Sequence, residues 1–87
     1  MTANTLRGMM KDGTDEVKRA AATAAAGKAD KTLVPDLVTL VADPSEQVGQ
    51  AARAALKILT GQDHGPQPGA DAAARAKAQA AWREGTK

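Results

Sequence analysis

The chain has 87 residues, enough for one small domain, and 12 Lys and Arg against 10 Asp and Glu leave a net charge of +2, weak ground for nucleic-acid binding. The absence of Cys excludes a disulfide framework and thiolate metal sites, and no apolar run reaches signal-peptide or membrane-span length, so the expected setting is cytoplasmic with no membrane contact. Twenty-one residues are Ala, only sixteen are large and apolar, and none is Phe or Tyr, a composition that disfavours strands and favours closely packed helices.

In chain order, residues 3–11 read as a shortened helix. Asp12-Gly13-Thr14-Asp15 is a helix start with Asp12 as N-cap, leading into a helix from Thr14 to Ala26. The 3.6-residue period places Val17, Ala20, Ala21 and Ala24 inward and Asp15, Lys18, Arg19 and Ala22 outward, with Gly27 as the C-cap. The next predicted helix, Thr32 to Ala42, is apolar on most sides except Asp36 and Thr39, so it is a buried one, and Pro35 falls in its first turn where a missing N–H costs nothing. Asp43-Pro44-Ser45-Glu46 predicts a further start, with Asp43 as N-cap, Pro44 at the first position and Glu46 closing a capping box. The helix that follows, Ser45 to Leu59, turns Val48, Ala52, Ala55, Leu56 and Leu59 inward and Glu46, Gln50, Arg53 and Lys57 outward. A loop rich in Gly and Pro occupies residues 60–69. The last helix, residues 70–84, carries Trp82 and a polar stripe of Asp71, Arg75, Gln79 and Arg83.

An internal repeat organises these elements. Shifted by 31 residues, Asp12–Val17 lies over Asp43–Val48, Ala20, Ala21 and Ala24 over Ala51, Ala52 and Ala55, and Leu6, Met9 and Met10 over Leu37, Leu40 and Val41. A period of this length marks stacked supersecondary units, here of two helices each.

The pattern Asp-x-x-x-x-Val-x-x-Ala-Ala at Asp12–Ala21 and Asp43–Ala52, with Leu33-Val34-Pro35-x-Leu37 and the Ala-Leu-x-x-Leu-Thr-Gly run at Ala55–Gly61, resembles HEAT-like repeats, closest to the short variety first associated with phycobilisome lyases. Standard HEAT units are longer, about 40–47 residues, and the ankyrin and tetratricopeptide signatures are absent. The resemblance implies an all-α, short right-handed α-solenoid of helical hairpins with about five helices in a single domain over 1–87. Its parts are a truncated helix (3–11), a first repeat (12–42), a partial second repeat with its loop (43–69) and a C-terminal capping helix (70–84). It also implies a ladder of Asp–basic pairs between repeats, for which the chain supplies Lys18 in the first copy but Gly49 in the second.

No catalytic set is legible. There is one His, no Gly-x-Ser-x-Gly, and Asp12, Thr14, Asp43 and Ser45 are explained by capping. His64 beside Asp63 could be an oriented imidazole, but no second metal ligand is in sight, so it reads as a loop residue capping the third helix or packing on the end of the core. Trp82 reads as a plug for the core, with a binding hot spot as the competing role. The expected function is non-catalytic, without cofactor or metal: a scaffold surface for another protein. By the family's geometry, the second helix of each pair lines the concave face, which gives Asp36 and Thr39 and, by the 31-residue shift, Thr5 and Gly8, with Arg7 and Lys11 nearby; of these, Arg7, Lys11, Asp36 and Thr39 are the candidate partner-binding residues. Two alternatives stand beside it: nucleic-acid binding through a basic solenoid face, and an accessory role for an enzyme such as a lyase. So short an array also makes self-association a natural expectation.

Overall fold

The computed structural model describes residues 3–86. Five α-helices and one 3-10 turn follow in order: α1 (Ala3–Asp12), α2 (Asp15–Lys28), the 3-10 turn Lys31–Leu33, α3 (Val34–Val41), α4 (Glu46–Thr60) and α5 (Ala72–Gly85). Among the described residues there is no strand.

The helices form two layers. α1 packs on α2 and α3 on α4 as successive hairpins; α2 lies against α4 in one layer, and α3 lies between α1 and α5 in the other. The central helix is α3, with Val34, Leu37, Val38, Leu40 and Val41 all buried, because an eight-residue segment this apolar is satisfied only when covered on several sides. Positions 31 residues apart share burial: Leu6 with Leu37, Met10 with Val41, Ala21 with Ala52, and Ala25 with Leu56.

The N-caps lie two residues past Asp12 and Asp43, the positions expected from the sequence. Thr14 and Ser45 are the N-caps, their hydroxyls accepting from Val17 N and Val48 N. Asp12 belongs to the last turn of α1, and Asp43 caps no helix; it accepts from Ser45 N at 2.9 Å and so closes a turn ahead of the helix. That shift puts Glu46 at the first helical position rather than the third, so no capping box forms, and Glu46 instead accepts from Gly69 N in the loop.

α2 runs past Gly27. It ends at Lys28 with Ala29 in the left-handed region at φ 51°, where Ala29 N donates to Ala26 O and Asp30 N to Ala25 O, the paired bonds of a Schellman turn. Asp30 then accepts from Thr32 N, which starts the 3-10 turn and converts the first residues of the expected Thr32–Ala42 helix into a tighter entry. The inward face of α2 is also rotated: Ala21, Ala22 and Ala25 are buried while Ala20 is exposed. With methyl groups on nearly every side, the composition of this helix does not choose a face; the packing of α1 and α4 does.

The Gly65–Pro66 bond in the long loop is cis, and Asp71 caps α5 by accepting from Ala74 N at 2.8 Å. Trp82 is fully buried, donates from Nε1 to Gly65 O at 2.6 Å and thereby pins the loop to α5. The His64 ring meets Trp82 edge-on, with centroids 4.8 Å apart and planes at 88°. Arg75 and Gln79, expected in a solvated stripe, turn partly inward; Gln79 Nε2 donates to Val38 O and Thr39 O, satisfying carbonyls near the end of α3.

Candidate functional site

α1 and α3 lie side by side, and the hollow between them holds two ion pairs, Arg7–Asp36 and Lys18–Asp43. Arg7 stands in the middle of α1, one residue past buried Leu6, so its side chain leaves the core edge toward α3. Its Nε donates to Asp36 Oδ2 at 2.9 Å, Nη1 to Asn4 Oδ1 at 3.2 Å and Nη2 to Thr32 O at 3.4 Å. Asp36 occupies the first turn of α3, where a carboxylate also complements the helix dipole.

Three residues along α3, exposed Thr39 donates from Oγ1 to Pro35 O. Lys11, in the last turn of α1, is exposed on the opposite wall. Met10 and Leu40 provide an apolar floor, and Lys18 and Asp43 close the far end with a 2.9 Å ion pair. The cavity so enclosed is about 510 Å³.

The four candidate partner-binding residues, Arg7, Lys11, Asp36 and Thr39, therefore line one groove, whereas Thr5 and Gly8, expected on the same face, are not in its lining. Sequence reasoning missed Lys18 and Asp43 as members of it. The helical period puts Lys18 on a solvated face and Asp43 at a helix cap, whereas the rotation of α2 brings the lysine inward and the two-residue shift of the cap frees the carboxylate to meet it. The signal that could have found them is the expected Asp–basic ladder: Lys18 of the first copy meets Asp43 of the second. Gly49, at the place of the next basic residue, is buried against the end of α3, where a Cβ would sit 3.0 Å from Val41 O. A longer side chain there would push α4 off α3.

The groove holds three cations and two carboxylates. Arg7 with Asp36 and Lys18 with Asp43 neutralise one another, which leaves Lys11 as the unmatched charge over an apolar floor. Such a surface suits recognition by shape and one charge contact, and methionine is the most adaptable apolar side chain to put beneath it. Each carboxylate is already committed to a cation, so neither is placed as a free general base.

At the other end of the molecule, Asp63 turns away from His64. Both its oxygens accept from Arg53, at 2.9 Å and 2.7 Å, and Gly65 N donates to Oδ1. The guanidinium beside it, and then the Gly65 N–H, hold the Asp63 carboxyl well below the usual carboxylate range. His64 Nε2 is bonded to Gln62 Oε1 instead. A second cavity of about 570 Å³ lies between this loop and α5, with Pro66, Pro68, Ala74 and Ala78 in its lining. Among the described residues no group of three or more His, Cys, Asp or Glu is placed to hold a metal ion, and no helix is long and apolar enough to cross a membrane.

The chain matches no protein-family model, and no curated protein or solved structure matches it.

Proposed function

We propose that the chain is a short module of HEAT-like repeats, arranged as a right-handed α-solenoid, that binds another protein through the α1–α3 groove and performs no chemistry of its own. The observation that carries this reading is the convergence of Arg7, Lys11, Asp36 and Thr39, from two helices far apart in sequence, on one groove. The repeat assignment draws support from the 31-residue register of burial, from the matching caps Thr14 and Ser45, and from a Lys18–Asp43 rung between the two copies. A groove with its charges already paired favours a partner that fits by shape and apolar contact over one held by charge alone.

The test is capture from a native extract on the immobilised full chain, eluted in steps of rising salt, beside a Lys11→Glu/Thr39→Arg variant. Both substitutions fall on exposed positions and leave the core untouched. A protein retained by the parent chain to high salt and lost by the variant supports the reading. Nucleic acid released at moderate salt with no protein would replace it with the basic-face alternative, and a partner held equally by the variant would move the contact surface elsewhere.

A further inference from the structure

The loop between α4 and α5 is tied back along its length. Gly65 N donates to Asp63 Oδ1 at 3.1 Å, and Gly65 O accepts from Trp82 Nε1 at 2.6 Å. Pro66 O accepts from Gln50 Nε2 at 2.9 Å, Gln67 O accepts from Ala70 N at 3.1 Å, and Gly69 N donates to the Glu46 carboxylate. With these polar groups already engaged, the cavity of about 570 Å³ between the loop and α5 is walled mainly by apolar surface and held in shape before any ligand arrives. Buried Pro66 and Ala78 make its floor, and exposed Pro68 and Ala74 its rim. Its size lies within the range of small-molecule sites, about 300–1,000 Å³.

The charges in the lining are unequal. Asp63 has both oxygens on Arg53, with the Lys57 ammonium 3.9 Å from one of them. Lys77 has no such partner. The residues three and four positions away on α5 are Ala73, Ala74, Ala80 and Ala81, and no ion pair or hydrogen bond reaches its ammonium among the described residues. The cavity therefore sets one uncompensated cation beside apolar walls, while the carbonyls of Gly65, Pro66 and Gln67 are taken by other donors. That combination suits an apolar body carrying a single negative charge and opposes a cation.

We propose that the loop–α5 cavity binds a small monocarboxylate with an apolar tail. The tail lies between the two prolines and the alanines of α5, and the carboxylate meets the Lys77 ammonium. Lys77 is exposed, so solvent screens the charge contact, and most of the affinity comes from burying the tail. The site shares no residue with the α1–α3 groove.

Octanoate titrated into the full chain tests this, read by Trp82 emission and by amide chemical shifts. Trp82 lies one turn beyond Ala78 and holds Gly65 O, so it reports on the cavity. The expected result is saturable binding at millimolar octanoate or below, with the amides of Gly65, Ala74 and Ala78 shifting together. Octylamine binds about tenfold more weakly, and Lys77→Glu reverses that order with the helical circular dichroism unchanged. No saturation by octanoate, equal binding of octanoate and octylamine, an unreversed order in Lys77→Glu, or shifts centred on the α1–α3 groove would overturn the proposal. The groove variant Lys11→Glu/Thr39→Arg should bind octanoate like the parent, which keeps this result distinct from the outcome of the partner-capture experiment.

Discussion

Lys18 Nζ lies 2.9 Å from Asp43 Oδ2, while the other oxygen of the same carboxylate accepts from Ser45 N, so one side chain joins α2 to the turn that opens α4. The pair is largely sheltered, with side chains 21 % and 10 % exposed, and removing one partner strands the other. Asp43→Ala should cost about 1–3 kcal/mol. Asp43→Asn keeps an acceptor for Ser45 N and should cost less. Urea unfolding followed by circular dichroism reads both; equal losses would assign the whole effect to the ion pair and none to the turn.

Trp82 binds the loop by one hydrogen bond and by its volume. Trp82→Phe removes the donor to Gly65 O and leaves that carbonyl without its partner, a loss of about 1–3 kcal/mol. Trp82→Ala opens a cavity as well and should cost about 3–5 kcal/mol, a large part of what a domain of this size has. Thermal melts of the two variants separate the contributions; equal melting points would mean the hydrogen bond carries nearly all of it.

α2 holds glycine where the helix gains nothing from it and alanine where the backbone is left-handed. At Gly27 an added Cβ meets nothing within 4 Å, and the position is helical. At Ala29, φ is 51°. Gly27→Ala should stabilise by about 0.5–1 kcal/mol through the unfolded chain, and Ala29→Gly by a similar amount through relief of the left-handed backbone, about 1 kcal/mol. The double variant, measured in dilute solution, should melt above either single one. A lower melting point for Ala29→Gly would show that the Schellman turn tolerates alanine without strain.

Acid should loosen the loop. Arg53, and then Gly65 N–H, hold Asp63 in its charged form to lower pH than in the unfolded chain, where Asp titrates near about 3.9. Between those two values the unfolded state binds the extra proton, so stability present at neutral pH is lost as pH falls through this window. Asp30 is shifted in the same direction by its bonds from Thr32. Melting temperature should therefore drop on acidification, and less steeply in Asp63→Asn than in the parent. Because the Asp63 side chain is 38 % exposed, solvent screens the pair and the difference between the slopes is modest. Parallel slopes would remove Asp63 as a contributor.

What the sequence made legible was whatever a period or a large side chain could express. The apolar stretch Leu33–Val41 announced a buried helix, and the repeat placed α1 and α3 as equivalents, but the 31-residue shift of Asp36 and Thr39 points to Thr5 and Gly8, whereas the α1 residues in the groove are their neighbours Arg7 and Lys11. Two kinds of information were out of reach. The inward face of α2 could not be read because Ala20, Ala21, Ala22, Ala24 and Ala25 offer the same methyl group in every direction. The caps were misplaced because Asp-x-Ser and Asp-x-Thr each offer two oxygens two residues apart, and the competition is settled by what else the Asp can reach. For Asp43 that is Lys18, a contact made only once the two hairpins are stacked. Gly49 illustrates the same limit, since its need for a bare α-carbon arises from a carbonyl on another helix.

With one tryptophan and neither tyrosine nor phenylalanine, the protein's near-ultraviolet signal comes from a single ring, and that ring is sealed at the junction of the loop and α5. Its emission therefore witnesses one joint of the molecule, while far-ultraviolet dichroism sums over every helix. Heated slowly, a chain whose C-terminal end peels away before the rest would redden in fluorescence ahead of its loss of helix; a chain that melts as one body would show the two curves superimposed.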